Sequence, residues 1–193
     1  MRGVENIPWL YDSGMAVMDA LGMGRWRMRL VGPSRGRVLE IGCGTGRSLP
    51  LYPKGTELWG IDPDEAALRR ARHRAPSAPL FVGRAEHLPF ATASFDTVTT
   101  SLSFCSVTDV AAALAEVRRV LRDEGGLRML EHVRSAGMAG RVQDFIQPAW
   151  TRFTGGCHLN RDTEAAVAAA GFRIDPQSRH ARGVMRCFTA YKA

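Results

Sequence analysis

Residues 38–47 read Val38-Leu39-Glu40-Ile41-Gly42-Cys43-Gly44-Thr45-Gly46-Arg47, a short apolar strand that contains an acid near its end and continues into glycines at every second position. A strand, a glycine-rich turn and a helix bring backbone close to a nucleotide-like ligand, because glycine has no Cβ to block the approach. We expect Glu40 at the carboxyl end of the strand, where doubly wound sheets bind ligands. An acid there repels a pyrophosphate and favours a cationic group.

The spacing of the glycines separates this loop from a dinucleotide-binding loop. The dinucleotide pattern is G-x-G-x-x-G, whereas this chain has Glu40-x-Gly42-x-Gly44-x-Gly46. A second apolar strand ends at Asp62, 22 residues after Glu40, where the ribose-binding carboxylate of a nucleoside site is expected. A nicotinamide oxidoreductase is the alternative, and both the spacing and Glu40 disfavour it.

Three further segments follow in the order found in one enzyme family: Gly83–Phe90, Ser94–Val98 and Glu116–Gly126. With the glycine loop, they resemble the adenine segment, the start of the fourth strand and the helix with its Gly-Gly turn in class I S-adenosylmethionine-dependent methyltransferases of the methyltransferase type 11 group. The resemblance implies a methyl-transferring enzyme with S-adenosylmethionine as cofactor and S-adenosylhomocysteine as product.

The second half of the chain carries a closer resemblance. The segments Ser103–Val107, Met129–Val133, Phe145–Trp150 and Gly156–Arg161 are similar to the branch that contains the animal alkyl-thiol methyltransferase-like proteins. This implies methylation of a small, lipophilic thiol. The hydrophobic N-terminal anchor of the animal proteins is not matched, so their bilayer setting is not expected to carry over.

The pattern of apolar runs predicts an α/β fold, a Rossmann-like, doubly wound, mostly parallel seven-stranded sheet with an antiparallel C-terminal edge. The expected helices are Trp9–Leu30, Ser48–Tyr52, Asp64–Arg74, Val107–Arg122 and Asn160–Ala170. The expected strands are Arg37–Ile41, Glu57–Ile61, Leu80–Gly83, Thr97–Ser101, Gly126–Glu131, Arg173–Arg179 and Val184–Lys192. Residues 1–193 form one expected domain, with a helical lid over residues 1–30 and a substrate-side insertion over residues 133–160.

The resemblance also implies the cofactor contacts. The residues expected to bind S-adenosylmethionine are Tyr11, Glu40, Gly42, Cys43, Gly44, Gly46, Asp62, Pro63, Ala85, Glu86, Ser101 and Leu102. Asp62 is expected to hold the ribose, and Glu40 to act on the ammonium group through water or neighbours. Arg84 departs from the family pattern, which usually has an acid there for the adenine amino group, so Glu86 is expected to take over that contact.

His132 is the candidate general base, because it ends the fifth strand at the edge of the sheet where the cofactor is expected. The alternative is a histidine that only hydrogen-bonds a neighbouring loop. Methyl transfer is a direct displacement, so it needs no covalent nucleophile and no metal. Cys105, Cys157 and His158 are interpreted as structural residues.

Composition agrees with a small enzyme of one core. The chain has 193 residues, of which 45% are hydrophobic, and it has no apolar run long enough to span a bilayer. The first eleven residues include charges and Pro8, unlike a signal peptide, so a cytoplasmic location is expected. The four cysteines are widely spaced without a C-x-x-C pair, which argues against a zinc site and a disulfide framework.

The net charge of +7 is interpreted as a solvated basic surface, because the arginines occur as scattered short pairs. An anionic membrane surface or nucleic acid is the alternative partner; we expect no nucleic acid, whereas peripheral membrane contact stays open. The apolar and aromatic residues between Met138 and Leu159 suit a lid over a hydrophobic acceptor, a membrane-facing surface or core. The acceptor atom is sulfur, or alternatively oxygen or nitrogen, including a phospholipid amine, and a non-catalytic cofactor-binding module is a further alternative.

Overall fold

One mixed sheet is the framework of the molecule, and the computed structural model describes it within residues 8–193; inside the first helix, the side chains at 8, 10 and 11 lie outside this description. The described residues contain eight strands, which are β1 (Arg37–Ile41), β2 (Glu57–Asp62), β3 (Leu80–Val82), β4 (Phe95–Ser101), β5 (Leu121–His132), β6 (Phe172–Ile174), β7 (His180–Arg182) and β8 (Met185–Lys192).

The strand order is β3-β2-β1-β4-β5-β8-β6, and β7 also pairs with β8. The strands from β3 to β5 are parallel, and β8 runs antiparallel to β5. From β1 the chain adds β2 and β3 on one side of the sheet, and it then returns to add β4 and β5 on the other side of β1. The switch point of the sheet therefore lies between β1 and β4. Ligands of such sheets bind beyond the carboxyl ends of the strands at this point.

Helices cover both faces of the sheet. They are α1 (Pro8–Met18), α2 (Gly24–Val31), α3 (Glu65–Arg74), α4 (Val110–Val120), α5 (Gly137–Thr154) and α6 (Thr163–Ala169), with a π-helical turn at Asp19–Met23 and a 3-10 turn at Leu49–Leu51. Leu39 and Ile41 of β1 share a buried cluster with α4 and α6, whereas Cys43 packs with α3 on the other face. Side chains alternate along a strand, so the intervening Glu40 belongs to the second face.

Four of the expected helices differ in extent from what the sequence predicts. The expected helix Trp9–Leu30 is divided by Gly22, which has φ of 123°, a conformation open to glycine but strained for other residues. The expected helix Ser48–Tyr52 is a single 3-10 turn. The helix expected at Val107–Arg122 is α4 (Val110–Val120), because Asp109 caps its start by accepting from the amide of Ala112, and residues 121 and 122 belong to β5. The helix expected at Asn160–Ala170 is likewise shortened to Thr163–Ala169, where Asp162 accepts from the amide of Ala165.

The expected count of seven strands is wrong, because the described residues form eight. The strand expected at Arg173–Arg179 ends early, as β6 at Ile174, and the additional strand β7 begins only after Arg179; both pair, one after the other, with the outer edge of β8. Pro176 lies between them, and proline has no amide proton to donate to a ladder. The parallel sheet and the antiparallel C-terminal edge are confirmed.

The stretch after β5 was not expected to be regular, and it forms the longest helix among the described residues, α5. None of the helices within residues 8–193 combines the length and the apolar character needed to cross a membrane.

Candidate active site

A cavity of about 600 Å³ opens at the carboxyl ends of β1, β2, β4 and β5. Nine of the expected site residues line it: Gly42, Gly44, Asp62, Pro63, Ala85, Glu86, Ser101, Leu102 and His132. The lining also includes residues that the sequence did not single out as ligand-binding, among them Met15, Thr45, Ser103, Cys105, Ser106, Trp150 and Cys157. The sheet therefore collects most of the expected site into one space.

The loop after β1 is shaped by backbone that only glycine adopts without strain. Gly42 has φ of 67°, and a Cβ on it would lie 2.3 Å from Cβ of Ser103. The loop thus passes directly against the loop after β4. Gly44 follows, and its amide donates to Oδ2 of Asp62 at 2.8 Å.

Asp62 ends β2 with both carboxylate oxygens held. Oδ2 accepts from Gly44, and Oδ1 accepts from the amide of Asp64 at 2.9 Å. Burial raises the pKa of the carboxyl above its usual value, while the two amides act in the opposite direction. A carboxylate oxygen can accept more than one hydrogen bond, so both oxygens keep capacity for hydroxyl groups in the cavity.

Three expected contact residues do not line the cavity. Glu40 is 2% exposed on the face that carries Arg27 and Tyr52. Burial raises the pKa of its carboxyl to about 7, against hydrogen bonds from Tyr52 and Ser48 and the charge of Arg27. The Cys43 side chain packs in the α3 core.

Gly46, the third of these residues, makes a close packing contact instead. A Cβ on Gly46 would lie 2.9 Å from Cα of Ala71 in α3. Its amide donates to the carbonyl of Cys43. The glycine thus lets the loop pack on the helix behind the cavity.

Glu86 closes the cavity at the β3 side. Its Oε1 accepts from the amides of Thr108 and Asp109 at 3.1 and 3.3 Å, and its Oε2 lies 3.6 Å from Nε of Arg84. These amides and the arginine lower the pKa of Glu86, although burial acts against them. Arg84 itself is largely exposed and donates to Thr108, so it lies beside the acid instead of replacing it.

The loop after β4 is fixed by a buried acid that sequence reasoning did not select. Glu131 is fully buried, and its Oε1 accepts from Thr100 Oγ1 and from the amides of Ser103 and Phe104 at 3.1–3.2 Å. Leu102, between these donors, has φ of 54°, which is strained for a residue with a side chain. The anchored loop holds this strained residue against the cavity.

Two cysteines and the expected base meet on the β5 side of the cavity. Sγ of Cys157 lies 3.2 Å from Nε2 of His132, and Sγ of Cys105 lies within 4.8 Å of both atoms. The Cys105 thiol and His132 lower the pKa of Cys157 to about 4, against its burial. The same contact raises the pKa of His132 despite burial, and the pKa of Cys105 is raised by Cys157 and burial.

The arrangement of the two cysteines depends on a short glycine-containing loop after α5. His158 donates its amide to the carbonyl of Cys105 at 3.0 Å. The buried Gln147 of α5 donates to the carbonyl of Cys157 and accepts from the amide of Leu159. These bonds place residues 157–159 against the loop after β4, so Cys157 acts as a lining residue and not only as the structural residue that the sequence suggested.

The N-terminal helix is attached to the glycine loop after β1 by Asp12. Its carboxylate accepts from Thr45 Oγ1 at 2.6 Å and from Arg70 and Arg74 of α3, and Arg47 lies 3.5 Å away. These donors lower its pKa to about 2, against burial. The side chain of Tyr11, an expected cofactor contact, lies outside the described residues.

Comparison with known proteins agrees with this architecture. Residues 39–129 match the family model described as a methyltransferase domain. Thiol S-methyltransferase TMT1B of Rattus norvegicus is 31% identical over 144 residues, 70% of this chain and 59% of that protein. The chain thus spans about three fifths of the length of that relative.

Two further proteins are similar over more of their length. Demethylmenaquinone methyltransferase of Thermotoga maritima is 32% identical over 168 residues, 81% of this chain and 72% of that protein. A crystal structure of an S-adenosylmethionine-dependent methyltransferase of the same organism, titled a possible histamine N-methyltransferase, has a TM-score of 0.68 at 24% identity and covers 86% of this chain and 87% of its own. The sequence likeness and the shared fold show that this chain belongs to the S-adenosylmethionine-dependent methyltransferases, whose cofactor is S-adenosylmethionine.

Proposed function

We propose that the protein transfers the methyl group of S-adenosylmethionine to the sulfur of a small, lipophilic thiol. The observation that carries this proposal is the composition of the cavity wall at β5, where Cys105, His132 and Cys157 place sulfur and imidazole groups beside the space for an acceptor. The similarity to a thiol S-methyltransferase supports the same acceptor class.

The layout of the cavity suits the two substrates. Asp62 on β2 and His132 on β5 are separated by β1 and β4, which is three strand spacings or about 14 Å. An adenosyl group bound at β2 would direct its sulfonium toward β4, and an acceptor at β5 would meet it there. The cavity is thus extended in the direction that the reaction requires.

We assign the cofactor contacts on this basis. Asp62 would accept from the ribose hydroxyls, Pro63, Ala85 and Glu86 would contact the adenine, and the backbone at Gly42 and Gly44 would contact the methionine part. Ser101 and Leu102 would lie beneath the sulfonium, and Tyr11 would fold over the cofactor. Glu40 would act indirectly, through its charge behind the glycine loop, and Gly46 would act by letting that loop pack on α3.

Catalysis would consist mainly of positioning. The acceptor sulfur must be held in line with the bond from the methyl carbon to the sulfonium, at near-attack distance, with water excluded. A thiolate attacks better than a thiol, and a positive or hydrogen-bonding group beside a thiol lowers its pKa. His132, whose own pKa is raised, is the residue we assign to this role.

The lipophilic character of the acceptor is supported by α5. This helix contributes Trp150 to the cavity and exposes an apolar surface outside it, with Met138 71%, Phe145 87% and Phe153 62% exposed. An apolar surface of this kind marks an interaction or substrate-entry site. We propose that this surface admits the acceptor and makes peripheral membrane contact. The wild type should then sediment with anionic phospholipid vesicles, whereas a Phe145→Ser, Phe153→Ser variant should stay in the supernatant.

A second candidate acceptor is a quinol ring. The relative named demethylmenaquinone methyltransferase covers more of this chain than the thiol methyltransferase does, and the same apolar helix would suit a prenylated ring. Oxygen and nitrogen acceptors, including a phospholipid amine, and a non-catalytic cofactor-binding role are the remaining alternatives. A small molecule, not nucleic acid, is the proposed substrate.

The deciding experiment is mass spectrometry of the purified protein incubated with S-adenosylmethionine and a panel of lipophilic thiols, naphthoquinols, phenols and amines. Formation of S-adenosylhomocysteine and methyl thioether with thiols alone supports the proposal. Methylation of quinols alone would replace it with the second candidate. Cofactor binding without any methylated product would favour the non-catalytic role.

We also propose a cytoplasmic location. All four cysteines are free thiols, the state that the reducing cytoplasm maintains. Alkylation of these thiols in intact cells, followed by peptide mass spectrometry, would test whether they are reduced where the protein resides.

A further inference from the structure

The three groups on the β5 side of the cavity have the geometry of metal ligands. The ligand atoms of Cys105, His132 and Cys157 all lie within 4.8 Å of one another, and the pair Cys157 Sγ and His132 Nε2 is 3.2 Å apart. In a tetrahedral zinc site, sulfur and nitrogen ligands at usual bond lengths are about 3.5 Å apart and two sulfurs about 3.8 Å. Small side-chain rotations would therefore bring the three atoms onto one ion.

The ligands come from three separately anchored segments. Cys105 lies in the loop that Glu131 holds, His132 ends β5, and Cys157 lies in the loop that Gln147 holds. Because each segment is fixed by its own hydrogen bonds, the three side chains are held near the required positions without the ion. Metal sites depend on this kind of support from outer residues.

The donor set indicates which ion fits. Thiolate and imidazole ligands suit zinc, and three protein ligands with one open position are the pattern of catalytic zinc sites. All three residues line the cavity proposed for the acceptor, so the fourth position would face that space. Two thiolates and a neutral imidazole would leave the bound Zn²⁺ with no net charge, and an acceptor thiolate would complete the shell.

We propose that Cys105, His132 and Cys157 bind a zinc ion whose fourth position takes the sulfur of the acceptor thiol. The inference rests on the proposed thiol methylation and deepens it, because His132 would then act on the acceptor through the metal. The bound thiol loses its proton to solvent, as groups coordinated to zinc do. Its sulfur then forms a bond to the methyl carbon, the bond from that carbon to the sulfonium breaks, and the electron pair stays on the sulfur of S-adenosylhomocysteine.

Product release follows from the same balance. The methylated acceptor is a neutral thioether, which is a weaker zinc ligand than a thiolate, so it leaves the fourth position. The ion keeps its charge and its three protein ligands throughout. The sequence argued against zinc because the cysteines are far apart in the chain, and the fold removes that objection by placing Cys105 beside Cys157.

The test is metal content. The purified full chain is equilibrated with ZnCl₂, freed of unbound metal by gel filtration and analysed by plasma mass spectrometry. About one zinc per chain is expected, with X-ray absorption distances of about 2.3 Å to sulfur and about 2.0 Å to nitrogen. A Cys105→Ala, Cys157→Ala variant should bind at least roughly tenfold more weakly, whereas Cys187→Ala, which removes a buried thiol outside the cavity, should keep the metal.

Cobalt(II) gives an independent readout, because thiolate-to-cobalt charge-transfer absorption reports sulfur ligation directly. Its absence in the wild type, no zinc after gel filtration, or equal zinc in the wild type and the double variant would overturn the inference.

Measuring thiol methylation distinguishes failure of the zinc proposal from failure of the proposed thiol methylation on which it rests. Thiol methylation that survives complete removal of zinc by a chelator would overturn the metal role and leave the proposed function standing. Bound zinc with the expected ligands, but no thiol methylation, would leave the metal site standing and remove its proposed acceptor.

Discussion

Gly44 and Asp62 join the loop after β1 to the end of β2: the Gly44 amide donates to Asp62 Oδ2 at 2.8 Å. One carboxylate thus both shapes the glycine loop and lines the cavity. A change at Asp62 should therefore act on the cavity in two ways, through a looser loop and through loss of the proposed contact with a ribose hydroxyl.

We expect Asp62→Ala to weaken S-adenosylmethionine binding by roughly 1–3 kcal/mol, the range for leaving a hydrogen-bonding group unpaired. Isothermal titration calorimetry measures this directly. Asp123→Ala is the control, because that acid lies on the surface with its side chain 98% exposed, and it should bind as the wild type does. Equal affinities for all three proteins would mean that the ribose is held elsewhere.

His132→Ala should lower kcat by roughly a hundredfold while leaving cofactor affinity nearly unchanged, because the ring lies at the acceptor end of the cavity. Steady-state kinetics with a thiol acceptor, combined with calorimetry for S-adenosylmethionine, separates the two effects. The control is His73→Ala on the exposed surface of α3. A wild-type rate for His132→Ala would show that the histidine is structural, which is the alternative that the sequence left open.

The β1 and β2 side of the cavity was predictable because its signals are local. The glycine spacing, the acid at the end of β2 and the alternation of helices and strands each depend on neighbouring residues. The sheet and its antiparallel edge followed from these patterns. The early end of β6 was also readable in principle, since Pro176 cannot donate to a ladder.

The acceptor half was not predictable, because it depends on contacts between distant segments. Cys105 and Cys157 are 52 positions apart in the sequence, and hydrogen bonds of Gln147 and His158 help to bring them together in the fold. Glu131 is another case, since nothing local indicates that a strand acid will hold the loop after β4. The aromatic residues of α5 suited a lid, a membrane surface or core equally well, and only the helix shows which of them are exposed.

Asp12 should determine how stably the N-terminal helix is attached to the glycine loop after β1. Asp12→Asn removes the charge that Arg47, Arg70 and Arg74 surround, so we expect a loss of roughly 1–3 kcal/mol in unfolding free energy and faster amide exchange over residues 8–18. Urea denaturation and hydrogen–deuterium exchange measure the two effects, with Asp123→Asn as control. Unchanged exchange in α1 would contradict the attachment.

The same residue gives an acid-stability prediction. The folded-state pKa of Asp12 is about 2, below the usual 3.8, so its stabilising contribution is complete above the usual value and is lost as the pH falls toward 2. Stability of the wild type should therefore fall more steeply than that of Asp12→Asn in this range. Parallel curves for the two proteins would show that the carboxylate is not held by the arginines.

Glu40 should give the opposite dependence in the cofactor-free protein. Its pKa is about 7 in the fold against a usual 4.5, so between these values the unfolded chain loses the proton while the folded chain keeps it. Stability therefore falls as the pH rises through this window, by about 2–4 kcal/mol in total. Glu40→Gln cannot ionise, so it should reduce this slope and be the more stable protein above neutral pH, while Asp62 and Glu131, whose pKa values burial also raises, keep their own share of it. Thermal or urea denaturation at intervals between about pH 5 and about pH 8 measures both slopes, and Glu57→Gln at the start of β2, whose side chain is 67% exposed, should keep that of the wild type. A slope in Glu40→Gln equal to that of the wild type would mean that Glu40 is already charged in the folded, cofactor-free protein.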